Sequence, residues 1–140
     1  MRIAGHHQEF EVPIARTRVD QSLSAAKWGL IPAWAKDKKI GNSLINARAE
    51  TVSVKLAVRT AFKKRRCLIP ADGFYEWQKA GTVKIPHRIT VGDGIFFFAG
   101  LWEIWNEPGA GPLRTCTIIT TTPNAVTAPI DDRMPVILDA

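Results

Sequence analysis

The sequence predicts an α+β domain whose body is a mainly antiparallel, curved or barrel-like β-sheet, with small helices packed at its periphery. Three observations carry that expectation. Short β-like runs recur at 67–69, 74–78, 86–91, 95–102 and 115–121, separated by turn signals such as Asp72-Gly73, Ala80-Gly81 and Asp93-Gly94. A single segment has helical periodicity. The length of 140 residues, with 46% hydrophobic and 23% charged content, suffices for one well-cored domain and is short for two.

In chain order, 9–17 alternates as a strand and 25–31 forms a second, after which Pro32 and a lysine-rich stretch at 36–39 make an irregular loop. Ser53 suits the N-cap of a helix over 54–64, where Val54, Val58, Ala61 and Phe62 form a one-sided apolar stripe. The short strands follow, with a longer loop at 108–112. Pro135-Val136-Ile137-Leu138 reads as a last strand, and the sequence stops two residues later. A core strand ordinarily has cover beyond it, so 1–140 is expected to be a single domain truncated at its end.

Charge narrows the class of partner. Nineteen Lys and Arg against 13 Asp and Glu give +6. Lys36, Lys38 and Lys39 cluster in one loop, and Lys63, Lys64, Arg65 and Arg66 form a second run. Clustered positive charge favours polyanions, nucleic acid first. The second run equally suits a helix C-terminus, where cations complement the macrodipole. The opening residues lack the apolar segment of a signal peptide, and no apolar run has the length that crosses a bilayer, so a cytoplasmic protein without membrane contact is expected. Cys67 and Cys116 read as buried free thiols, and neither a metal nor an organic cofactor is indicated.

Three polar segments offer chemistry. In Leu44-Ile45-Asn46-Ala47-Arg48-Ala49-Glu50-Thr51, extended backbone puts Asn46 and Arg48 on one face, an amide for a carbonyl oxygen and a guanidinium for a phosphate. A turn Asn and a surface Arg are the plainer alternative. In Gly73-Phe74-Tyr75-Glu76-Trp77, a carboxyl among rings is a candidate for a raised pKa and for general acid–base work. It equally suits the wet face of a half-buried strand. In Ile130-Asp131-Asp132-Arg133-Met134-Pro135, a polar cluster precedes an apolar strand, which is also what a solvated Asp–Arg loop looks like.

Together the blocks resemble one family. Trp28-Gly29-Leu30-Ile31-Pro32-Ala33-Trp34, Asn46-Ala47-Arg48-Ala49-Glu50-Thr51, Arg66-Cys67-Leu68-Ile69-Pro70 leading into Gly73-Phe74-Tyr75-Glu76-Trp77, and Asp132-Arg133-Met134-Pro135 resemble, in that order, the SOS-response-associated peptidase (SRAP) family of abasic-site-processing proteins. The resemblance runs over nearly the whole chain. It implies the SRAP fold and capture of abasic sites in single-stranded DNA during the SOS damage response, at the nucleoid, by a monomer. In the family an N-terminal cysteine, exposed when the initiator methionine is removed, condenses through its amine and thiol with the ring-opened sugar aldehyde. The product is a thiazolidine that crosslinks protein to DNA. By resemblance Asn46 positions the lesion, and Glu76 moves protons in Schiff-base formation, in removal of the leader and in reversal of the crosslink. Arg48 and Arg133 hold phosphates. Trp34 and Trp77 offer faces to flanking bases, or else pack in the core. Thr120 matches a position near the phosphate.

Two departures bear on activity. Family chains open Met-Cys-Gly-Arg, whereas this sequence opens Met1-Arg2-Ile3-Ala4, so the nucleophile is expected to lie before Met1 if it exists. The family has His before Asp-Arg-Met-Pro, and here that position is Asp131. An imidazole exchanges protons near neutrality, while an ordinary Asp is ionised and only accepts. Asp131 substitutes in part if it is itself protonated, and it also brings a like charge towards Glu76. His87 does not occupy the matching position. The expectation is therefore a lesion-recognition domain impaired in crosslinking. The alternatives are a non-catalytic single-stranded-DNA-binding pseudoenzyme or fragment and, less favoured because no Cys/His pair is recognisable, a thiol peptidase.

Overall fold

The computed structural model describes residues 11–16 and 23–138. Residues 1–10 and the ends of the strand expected at 9–17 lie outside that description. The first strand, β1 (Glu11–Arg16), buries Val12 and Ile14 between exposed neighbours. It pairs antiparallel with β2 (Leu23–Trp28) and with β4 (Arg66–Ala71). Between them come a 3₁₀ turn at Lys38–Ser43, the three-residue β3 (Asn46–Arg48) and the one helix among the described residues, α1 (Arg59–Lys64). The antiparallel ribbon of β5 (Phe74–Ala80) and β6 (Val83–Ile89) follows, then the long hairpin of β7 (Phe96–Glu107) and β8 (Gly111–Thr121). The described chain closes with β9 (Met134–Pro135) and β10 (Ile137–Leu138).

The large sheet runs β10-β7-β4-β1-β2-β8-β3, with β9 on β8 and a further β7–β8 pairing that curls it strongly. The expected β-dominated α+β architecture is there, but the sheet is mixed. Both β2 and β3 pair with β8 in parallel, which corrects part of the antiparallel expectation. Parallel neighbours are joined through distant chain, so local turn signals carry no trace of them.

Curling buries both faces of β7 and β8. Phe98 and Ile118 enter an inner core with Ile14, Ile69 and Phe74, while Leu101 and Ile119 enter an outer core with Leu30, Val52 and Val58. Gly100 sits where the strands crowd most: a Cβ there would lie 2.7 Å from Ile69 Cδ1 and 3.1 Å from the Thr117 carbonyl. Gly29, at φ +119°, lets the end of β2 pass the 3₁₀ turn, since a Cβ would lie 2.7 Å from the Gly41 carbonyl oxygen. That crossing sets β3 against β8. Cys67 and Cys116 are buried free thiols, as their strand contexts suggest.

The helix is shorter than its periodicity indicates. Residues 48–58 are successive turns, and α1 begins only at Arg59, with no side-chain cap. Val52 and Val58 are drawn into the outer core while Val54 and Leu56 stay exposed, a pattern that one continuous helix from Ser53 does not produce. Tertiary packing overrides the local stripe. The long loop expected at 108–112 is a tight hairpin turn, because β8 already begins at Gly111. Half of the basic run at 63–66 is structural: Arg65 pairs with buried Glu103 at 2.7 Å, and the Arg66 guanidinium lies 4.2 Å from the Phe62 ring centre.

Candidate lesion-binding site

Where the ribbon approaches the ends of β3 and β8, Asn46, Arg48, Glu76, Thr120, Asp131, Arg133 and Met134 line a cavity of about 290 Å³. Its floor is set by register. β3 pairs Asn46 with Ile118, Ala47 with Ile119 and Arg48 with Thr120. Ala47 is buried in the outer core, so alternation turns Asn46 and Arg48 to the opposite face, as their spacing predicts. Asn46 Oδ1 is buried with no hydrogen-bond partner among the described residues, which leaves it available to a donor in the cavity.

Glu76 comes from the ribbon. Phe74, fully buried against Phe96 and Phe98, pins the inner face of β5, and two residues on the same face lies Glu76, 1% exposed. The wet-strand alternative is thereby excluded. The flanking rings are not what desolvates the acid: Tyr75 and Trp77 alternate to the other face, and Trp77 is 40% exposed. Burial in the cavity wall, followed by a hydrogen bond with Asp131, pushes the Glu76 pKa up to about 7.

Asp131 shifts the other way. Burial acts upward, but hydrogen bonds with Glu76 and Asp132 and one from the Arg133 backbone outweigh it and hold Asp131 below the ordinary carboxylate range. The opposite shifts favour Glu76 over Asp131 as the seat of a proton shared by the pair. The Asp131 turn is held by Asn124, whose Oδ1 accepts from the Val126 and Thr127 backbones and the Thr127 hydroxyl.

The two arginines do not stand alone. Glu50, just beyond β3, accepts both Arg133 guanidinium nitrogens at 3.2 and 2.9 Å and approaches Arg48 at 3.5 Å. Arg133 also donates to the Thr120 carbonyl at 2.9 Å and the Thr120 hydroxyl at 3.3 Å. The Arg133 bond, foremost, holds the Glu50 pKa below its usual value. Sequence reasoning passed over Glu50, although its place two residues from Arg48 in the same block was the available signal.

Six of the eight predicted site residues thus meet in one cavity: Asn46, Arg48, Glu76, Thr120, Asp131 and Arg133. Trp77 and Trp34 do not line it. Trp34 is 56% exposed on a loop whose Ala35 carbonyl accepts from Trp105 Nε1. Trp105 pairs with Leu113, seven residues from Thr120 along β8, roughly 20 Å for extended chain.

A curled mixed sheet with an attached ribbon, gathering an amide, two arginines and a proton-bearing carboxyl at one mouth, defines the class. The chain belongs to the SOS response associated peptidase (SRAP) family, whose sequence model matches residues 5–140. It is 56% identical over 118 residues to abasic site processing protein YoqW of Bacillus subtilis (strain 168), covering 83% of this chain and 53% of that protein. It is 33% identical over 143 residues to abasic site processing protein HMCES of Xenopus tropicalis, covering 86% of this chain and 43% of that one. The chain therefore spans about half the length of these curated relatives. A crystal structure of a protein from Bacteroides thetaiotaomicron superposes with TM-score 0.86 at 36% identity, over 92% of this chain and 59% of that one. One from Bordetella bronchiseptica does so with TM-score 0.83 at 25% identity, over 94% and 69%.

Proposed function

We propose that this domain recognises abasic sites in single-stranded DNA and supplies the proton transfers of their covalent capture. The observation that carries the reading is the pair of buried Glu76 and half-buried Asp131 beside Asn46, Arg48 and Arg133 in a chain of this family. An abasic sugar in its open form presents an aldehyde and a hydroxyl next to two phosphates. Asn46 meets the sugar oxygen, and Arg48 and Arg133 meet the phosphates.

Condensation of an amine with that aldehyde forms a C–N bond, and the hemiaminal hydroxyl leaves as water. Neutral Glu76 delivers the proton that the departing hydroxyl needs. Its carboxylate then takes the proton that the iminium nitrogen releases as the neutral Schiff base forms, so the acid is regenerated. By family resemblance the amine and thiol belong to an N-terminal cysteine. The residues of the cavity supply lesion recognition and the proton transfers. Asp131 slows the proton step relative to an imidazole, because an ionised carboxylate returns no proton.

The test compares residues 1–140 on abasic and intact single-stranded oligonucleotides, then repeats the comparison with Met-Cys-Gly-Arg placed ahead of Ile3. The expected results are salt-sensitive preference for the abasic strand in the first case and a denaturation-resistant band in the second. That band should be slowed about 100-fold or more by Glu76→Gln and accelerated by Asp131→His. Equal affinity for both strands at low salt overturns the reading.

A further inference from the structure

Glu76 and Asp131 reach the cavity on elements that share no backbone ladder. Among the described residues β5 pairs only with β6, whereas the turn carrying Asp131 leads into β9, which pairs with β8. A side-chain bridge links the two. Gln78 follows Glu76 on the same face of β5, and its Nε2 donates to the Pro129 carbonyl at 3.1 Å, two residues before Asp131.

The bridge depends on which way the Gln78 amide points, and the Pro129 carbonyl, which can only accept, settles that. His87 lies opposite Glu76 in the β5–β6 register, and its Nε2 is 3.0 Å from Gln78 Oε1. With the Gln78 amide nitrogen committed to Pro129, Oε1 accepts, so His87 carries its hydrogen on Nε2. The reversed amide would set an oxygen against the Pro129 carbonyl. Nε2–H is a donor in neutral imidazole of this tautomer and in imidazolium alike, so the bridge survives acidification.

We propose that Gln78, braced by His87, is a positioning residue that holds the Asp131 turn against the Glu76 strand and so keeps the two carboxyls in contact. The inference rests on the proton-transfer role of Glu76 proposed above. It assigns a function to a polar pair that does not itself line the cavity. Among the described residues, Arg48 and Arg133 line the cavity with the two carboxyls, and Asp132 hydrogen-bonds to Asp131.

The experiment is a carboxyl ¹³C NMR titration of Glu76 in the wild-type chain and in Gln78→Ala, His87→Ala, His87→Gln and the Gln78→Ala/His87→Ala double variant. The same spectra report whether each variant is folded. Releasing the turn withdraws Asp131, so the Glu76 midpoint should fall by about one pH unit in Gln78→Ala and by less in His87→Ala. The double variant should match Gln78→Ala alone, and His87→Gln, whose amide still donates to Oε1, should restore the wild-type midpoint. The direction discriminates between mechanisms: if His87 acted on Glu76 only as a nearby cation, its removal would raise the midpoint. An unchanged midpoint in folded Gln78→Ala, or a rise in His87→Ala, overturns the proposal. Failure of the functional reading shows up separately, as loss of preference for the abasic strand with the titration behaviour intact.

Discussion

The two walls of the cavity are built on different physics. The β3–β8 wall holds Asn46, Arg48 and Thr120 through a parallel backbone ladder, so their positions follow from strand register. Among the described residues the β5–β6 ribbon has no ladder to the large sheet, and side chains attach it, with Phe74 edge-on to Phe98 at 5.6 Å and Ile89 packed against the same core. A ladder fixes polar groups at the cavity by register. An apolar anchor instead carries its neighbour Glu76 into the wall, where burial keeps the proton on it. The acid is therefore as secure as the grip of one phenyl ring, while the amide is as secure as a sheet.

The sharpest way to break that comparison is Phe74→Ala. It should cost about 3–5 kcal/mol, read by denaturant unfolding. In whatever folded population remains, Glu76 should titrate closer to an ordinary carboxyl. The counterpart on the sheet is Gly100→Ala, whose new methyl meets Ile69 Cδ1 and the Thr117 carbonyl. Ile69 can shift but the backbone cannot, so a loss of about 1–3 kcal/mol is expected, with the Glu76 midpoint unmoved.

Glu76→Gln should give a smaller effect with a distinctive pH signature. The folded pKa of about 7 lies above the ordinary 4.5, so the folded state binds the extra proton between these values. Wild-type stability is then fully present below about 4.5 and is lost as pH rises through 7. The variant has no carboxyl to ionise and should be flat across that window. It should exceed the wild type at pH 8 by roughly 1–2 kcal/mol, less than the full shift implies because the cavity opens to water. Thermal melts at pH 5 and pH 8 decide it, and equal differences at both would contradict the buried proton.

Glu50→Gln should change stability least and binding most visibly. It frees Arg133 and Arg48 from their shared carboxylate. Affinity for single-stranded DNA should rise at low salt with a steeper salt dependence, measured by fluorescence anisotropy.

How far the sequence reaches differs between these walls. Period-two alternation made the strands readable, and the spacing of Asn46 and Arg48 correctly put both on one face of an extended segment. The helix boundary was not readable, because Val52 and Val58 answer to the outer core and not to the stripe that includes Val54. Glu76 was singled out for its neighbours, yet those neighbours point away and the acid is desolvated by the cavity wall. The Glu50 bridge and the Gln78–Pro129 link join residues 83 and 51 positions apart, beyond any local pattern.

By itself the sequence determined the strand content, the polar blocks and their family, since alternation, turn chemistry and motif order are properties of neighbouring residues. Tertiary structure decided the parallel pairings, the burial of Glu76 and the seat of the shared proton. Each of these depends on what lies across space from a residue, and the free energy of a buried charge is set by those surroundings and not by the chain on either side of it.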